Sequence, residues 1–301
     1  MEIAQEIRAL KKARDAVILA HYYVEPEVQE LADYVGDSFF LSKKAVELPQ
    51  STILFCGVSF MGESAKLLNP EKTVLMAEPA ADCPMAHMAD PRAVAELRRQ
   101  DPDLAVVCYI NSTAVLKACA DVCVTSANAV DIVRALPQRR VLFLPDRNLA
   151  RYVAAQVPEK EILLPNGFCP THDRMLSDEV ERLKALHPEA LVLAHPECPQ
   201  AVTDGADYVG STSGILRFAA GSDAPAFIIC TEHGVRHPLT RDNPGKAFYF
   251  PQPTPVCPDM KTITPQKILQ ILQTGAHPVE IDPALMTAAR RPLDEMLRLA
   301  R

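Results

Sequence analysis

The sequence predicts an α/β protein of three homologous three-layer αβα domains with parallel sheets, arranged with pseudo-threefold symmetry around a central active site. Three observations predict it. Short apolar runs alternate with helix-like stretches, the pattern of βαβ units and of a parallel sheet covered by helices. The whole pattern recurs with a period of 86 to 88 residues. The polar groups that close the apolar runs recur in the same register. A chain of 301 residues is also too long for one small core.

The first run of each copy is VILAHYY at 17–23, AVVCYIN at 105–111 and ALVLAHPE at 190–197, each apolar enough for a strand buried on both faces. His21 plus 88 is Tyr109, and Tyr109 plus 86 is His195. The same offsets carry Ala32-Asp33 to Ala120-Asp121 and Ala206-Asp207, and Ser38 to Ser126 and Thr212. PEVQELADYV and MGESAKLLN read as helical connections. A second set of apolar strands follows at 51–56 (STILFC), 140–145 (RVLFLP) and 226–231 (AFIICT), with Phe55, Phe143 and Ile229 in register. Pro70-Glu71-Lys72 returns as Pro158-Glu159-Lys160. The expected domains are 1–82, 83–168 and 169–261. The remaining 262–301 is helical and is expected to pack back on the first domain beside the N-terminal helix.

Composition bounds the function. The chain is 48% hydrophobic and 23% charged, with a net charge of −7 and a pI near 5.7. That balance, with no basic run, argues against a nucleic-acid partner. No apolar stretch approaches the roughly 18 residues needed to cross a bilayer. The opening MEIAQEIRALKKARD is charged and helix-periodic, unlike a signal or transit peptide. A cytoplasmic protein is expected, with no membrane or nucleic-acid partner.

Nine cysteines, an odd number, do not form a disulfide framework in such a chain. The repeat sorts them. Cys83 plus 86 is Cys169, and Cys169 plus 88 is Cys257, each followed by proline in a loop that ends its unit. Three equivalent loops in a pseudo-threefold ring converge near the axis, where they can hold one metal centre. Cys56, Cys108, Cys119, Cys123, Cys198 and Cys230 lack three-copy partners and read as packing residues. A structural zinc site needs four ligands, usually as paired CxxC units, and none occur here. Thiolates select zinc, copper(I) or iron–sulfur clusters. A 4Fe–4S cluster on three cysteines leaves one iron open as a Lewis acid.

Each first strand closes on residues spaced i, i+2 that point the same way: His21 and Tyr23, Tyr109 and Asn111, His195 and Glu197. Ligands of parallel α/β sheets bind beyond such strand ends. Next come Gly/Ser/Thr-rich turns, GDS at 36–38, TSAN at 125–128 and GSTSG at 210–214. Their hydroxyls can cap the helices that follow, and the helix N-termini favour anions.

HYYVEPEVQELADYVGDSFFLS, LFCGVSFMGESAKLL, YINSTAVLKACADVCVTSANA, NGFCPTH, HPECPQAV, ADYVGSTSGI, TEHG and CPDMK together cover nearly the whole chain in order. This set closely resembles the quinolinate synthase family of iron–sulfur enzymes. The resemblance implies a 4Fe–4S cluster on Cys83, Cys169 and Cys257. It implies condensation of iminoaspartate with dihydroxyacetone phosphate to quinolinate, phosphate and water in NAD biosynthesis. Glu197 and Tyr23, assisted by His21 and His195, are then expected to move protons. Ser38, Tyr109, Asn111, Ser126, Ser211 and Thr212 are expected to hold substrate, and His172 matches a family position near the site. An aspartate oxidase or aspartate dehydrogenase is the expected supplier of iminoaspartate. Another open-cluster dehydratase, a diphthamide-type radical enzyme or a redox-sensing module are the competing readings.

Overall fold

The structure, a computed structural model, describes residues 2–300. Its twelve strands form three four-stranded sheets. The first sheet contains β1 (Ala16–His21), β2 (Tyr34–Gly36), β3 (Thr52–Cys56) and β4 (Thr73–Met76). The second contains β5 (Ala105–Tyr109), β6 (Val122–Val124), β7 (Arg140–Leu144) and β8 (Glu161–Leu163). The third contains β9 (Leu191–Ala194), β10 (Tyr208–Val209), β11 (Ala226–Cys230) and β12 (Ala247–Tyr249). All pairs are parallel. The orders are β2-β1-β3-β4, β6-β5-β7-β8 and β10-β9-β11-β12, the same topology three times.

The sequence repeat is also a repeat of hydrogen-bond register. Leu19 pairs with Phe55, Val107 with Phe143 and Leu193 with Ile229. These central strands are covered by helices on both faces, which is why every residue of β1, β5 and β11 is buried. Burying each Val, Leu or Ile there is worth about 1.5–3 kcal/mol, and the uninterrupted apolar runs follow from it.

PEVQELADYV is helical only over Pro26–Leu31, and its last residues enter β2 instead. Asp33 causes the break. Its backbone N–H donates to Ile18 O, while its carboxylate accepts from Ile18 N–H at 2.8 Å. Asp121 makes the same reciprocal pair with Val106, and Asp207 with Val192. The triplicated aspartate is thus a fold device that starts each edge strand. Lys72, Lys160 and Lys246 are another, each tying two carbonyls at the end of a helix.

The helix Glu2–Ala13 packs on the helix Pro265–Thr274. The last helix, Pro283–Leu299, reaches further than the sequence suggests. It rests on the helix Ser59–Leu68 beside the first sheet and on β6 and the helix Ala114–Lys117 beside the second. Its buried Ala289, Pro292, Leu293 and Met296 supply the apolar face for both. Among the described residues, no helix is long and apolar enough to cross a membrane.

Candidate active site where the three sheets meet

The carboxyl ends of β1, β5 and β9 open on one cavity of about 890 Å³ including its mouth. His21, Tyr23, Ser38, Tyr109, Asn111, Ser126, His172, His195, Glu197 and Thr212 all line it, as do Cys83, Cys169 and Cys257. Residues up to 239 positions apart in sequence, His21 and Met260, thus line one cavity. Ser211 does not line it. Its Oγ accepts from Gly214 N–H and caps the helix Thr212–Gly221.

The caps explain why the Ser38 and Thr212 hydroxyls are not spent on their own helices. Asp37 and Ser211, one residue before Ser38 and Thr212, cap those helices through their own side chains. Capping by Ser38 and Thr212 themselves, expected from the turns, does not occur, because both are the first helical residue rather than the cap. Ser126 meets His195 Nε2 at 3.2 Å, and Thr212 Oγ1 meets the Tyr23 hydroxyl at 2.9 Å.

Glu197 is the charged centre of the cavity. It is 3% exposed, accepts from the Tyr109 hydroxyl at 2.6 Å and lies 2.7 Å from His172 Nδ1. Burial pushes its carboxyl up, but His195, His172 and the Tyr109 hydroxyl outweigh burial and hold it well below the ordinary range. His172 makes the direct contact, since His195 Nδ1 is 3.7 Å from the carboxylate and accepts from Glu197 N–H. Burial lowers His195 to about 3 and His21 to about 4, so both rings are neutral at physiological pH. In each ring Nδ1 accepts a backbone N–H two residues on, at 3.2 Å in His21 and 3.3 Å in His195. That leaves Nε2–H as the donor facing the cavity.

Thr231 is the residue that sequence reasoning missed. Fully buried, its hydroxyl joins the Tyr23 hydroxyl at 3.0 Å to His172 Nε2 at 2.9 Å. A continuous chain therefore runs from Glu197 through His172, Thr231 and Tyr23 to Thr212. Burial, then the nearby Glu197 charge, pushes the Tyr23 phenol well up, so its resting form is the protonated donor.

The three cysteines occupy one structural position. Each is the residue before a short helical turn that begins with proline: Pro84–His87, Pro170–Asp173 and Pro258–Lys261. Backbone N–H groups of Ala86 and Met85 lie near enough to favour the Cys83 thiolate. That of His172 does so for Cys169, and those of Met260 and Asp259 for Cys257. Such donors suit thiolates in a metal centre. Without a cation, burial pushes Cys83 up to about 12 and raises Cys169 and Cys257 as well. A soft, three-sulfur donor set lining one cavity fits an iron–sulfur centre. Cys169, His172 and Glu197 also bring ligand atoms within 4.8 Å of one another, though His172 and Glu197 are already bonded to each other.

Three like sheets around a cavity lined by thiols, histidines and Glu197 define the chain as an enzyme of the three-unit αβα class with a small-molecule site. A family model described as quinolinate synthetase A protein matches residues 5–298. The chain belongs to that family, whose membership implies an iron–sulfur or other metal cofactor. It is 48% identical over 297 residues to a quinolinate synthase of Caldicellulosiruptor bescii, covering 99% of this chain and 98% of the relative. A quinolinate synthase of Fusobacterium nucleatum is 49% identical, with 98% of each chain covered. One of Aquifex aeolicus is 46% identical, covering 99% of this chain and 94% of the relative.

Proposed function

We propose that this chain condenses iminoaspartate with dihydroxyacetone phosphate to give quinolinate, phosphate and two waters, in the de novo route to NAD. Cys83, Cys169 and Cys257 would hold a 4Fe–4S cluster. The single observation that carries the reading is the identical placement of these three cysteines before proline-led turns that line one cavity. When bound, the cluster supplies an iron without a protein ligand, a Lewis acid toward a substrate oxygen or nitrogen.

The side chains suit such substrates. Two carboxylates and a phosphate need donors, and the cavity presents the neutral Nε2–H groups of His21 and His195, the hydroxyls of Ser38 and Ser126 and two helix N-termini. Binding anions by neutral donors accords with the net charge of −7. Asn111 Oδ1 is buried without a partner and is an acceptor for a substrate N–H or O–H. Glu197, ionised, takes a proton from carbon or nitrogen. Tyr23 gives one and regains it along Thr231 and His172. Condensation, isomerisation and ring closure all need such paired transfers.

Iminoaspartate hydrolyses readily, so an aspartate oxidase or aspartate dehydrogenase would supply it. Nine free cysteines suit a reducing cytoplasm. The test is an iron and sulfide count on anaerobically prepared protein together with quinolinate formation from the two substrates. About four irons and sulfides per chain with quinolinate formed is the expected result. No quinolinate from iron-loaded protein would sink the reading.

A further inference from the structure

In every unit the third residue after the second core strand is latched to the loop that carries the cysteine. Ser59 N–H donates to Ala81 O at 2.9 Å, Arg147 N–H to Gly167 O at 2.8 Å and His233 N–H to Pro255 O at 2.8 Å. Each acceptor lies two residues before a cysteine. One position before each donor the copies differ: Val58, Asp146 and Glu232. Asp146 and Glu232 are both 0% exposed, and both do the same two things. One oxygen caps the next helical turn, Asp146 Oδ1 from Leu149 N–H and Glu232 Oε2 from Gly234 N–H, each at 2.6 Å. The other oxygen accepts the cysteine's own N–H, Asp146 Oδ2 from Cys169 and Glu232 Oε1 from Cys257, each at 3.1 Å.

Neither acid lines the cavity, so substrate chemistry does not account for them. A buried carboxylate is costly unless hydrogen-bonded, and Val58 shows that an apolar residue closes the same corner. What both acids add is a fixed backbone at the cysteine, and Glu232 Oε1 in addition lies 3.2 Å from Lys261 Nζ.

We propose that Asp146 and Glu232 are positioning residues that hold the Cys169 and Cys257 arms ready for the metal centre before it binds. This rests on the reading of those cysteines as ligands. The Cys83 arm is held differently, through Asp82, whose side chain is 45% exposed. Its backbone N–H donates to Asp259 Oδ1 at 3.1 Å.

Asp146→Asn can keep the cap to Leu149 but turns an amide N–H toward the Cys169 N–H, donor against donor. Glu232→Gln does the same at Cys257. The experiment alkylates the full-length metal-free protein with N-ethylmaleimide and reads each cysteine by mass spectrometry. Asp146→Asn should speed Cys169 about tenfold while Cys83 and Cys257 stay within about twofold. Glu232→Gln should do so for Cys257 alone. In iron-loaded protein, the same variants should release iron to a chelator faster by a similar factor. Unchanged rates at the target cysteine overturn the proposal. So does a uniform rise that includes buried Cys56 and Cys230, which marks loss of fold. A parent protein that takes up no iron sinks the metal reading and this inference with it, whereas iron uptake with unchanged arms sinks only the inference.

Discussion

Tyr109 donates its hydroxyl to Glu197 Oε1 at 2.6 Å, across 88 residues of sequence and from the second sheet to the third. The contact does two things at once: it joins two units, and it stabilises the charge of the cavity's one strongly depressed carboxyl. A hydrogen bond to a charged group is worth about 1.5–3 kcal/mol. Tyr109→Phe should therefore lower kcat/KM roughly 10- to 100-fold. Losing this donor raises the Glu197 pKa, so the acid limb of the pH profile should move to higher pH. An unchanged acid limb with lowered kcat would show that Tyr109 acts on substrate alone.

The neutral histidines set how stability depends on pH. His21 and His195 have folded pKa values of about 4 and about 3, below the ordinary 6.5. The unfolded chain thus binds protons first as pH falls. Stability from these groups is complete above about pH 6.5 and is lost progressively down to about pH 3. Each contributes on the order of 3–5 kcal/mol at its limit. Urea unfolding at pH 7 and pH 5 should show a clear loss at pH 5 in the parent. His195→Gln, which cannot titrate, should reduce that difference by about half, and an equal difference in both proteins would contradict the assignment.

Much of this was legible from residues alone, and the limits have physical reasons. Strands buried on both faces are continuously apolar, so β1, β5 and β9 stood out with their terminal His, Tyr and Glu. Edge strands of two or three half-buried residues, such as Tyr34–Gly36 and Tyr208–Val209, carry no such signal. Register arithmetic rewards polar groups present in all copies. Asp33, Asp121 and Asp207 satisfy it for structural reasons, so triplication alone does not mark function. It also penalises single-copy groups. Thr231 aligns with Gly57 and Pro145, neither of which has a side-chain hydroxyl, and so it gave no signal. Asp146 and Glu232 were hidden in the same way by Val58.

The cysteine assignment predicts a sharp division among the nine. Cys83→Ser, Cys169→Ser and Cys257→Ser should each lose most of the bound iron, since a serine hydroxyl is a poor donor for a soft metal site. Cys119→Ser and Cys198→Ser should retain it, because Cys198 is packed in the third unit's core and Cys119 lines a different groove. Iron and sulfide counts on anaerobic protein decide the matter. Full iron in Cys257→Ser would remove that residue from the ligand set.

Gly234 controls the placement of Tyr23 from the third unit. A Cβ there would stand 2.5 Å from Tyr22 O and 2.8 Å from Tyr23 Cα. Both are backbone atoms, pinned further by Gln29 Nε2, which donates to Tyr22 O, Val24 O and Gly234 O. Gly234→Ala should cost about 1–3 kcal/mol of stability and displace the Tyr23 hydroxyl from its partners. Thermal melting and kcat should fall together, and full activity in a destabilised protein would separate the two effects.

Thr231→Val tests the hydrogen-bonded chain itself. Valine has the shape of threonine, and Thr231 does not line the cavity, so substrate contacts are left in place. What changes is that the Tyr23 hydroxyl loses one of its two partners and His172 Nε2 loses its only one. If Tyr23 regains its proton along Thr231 and His172, kcat should fall at least tenfold while KM changes little. Thr231→Ser, which keeps the hydroxyl, should restore most of the rate. A purely structural role predicts the opposite ranking: valine, which preserves packing in this fully buried corner, would be tolerated better than serine, which leaves a methyl-sized void worth about 1 kcal/mol. The order of the two variants in kcat therefore distinguishes proton transfer from packing.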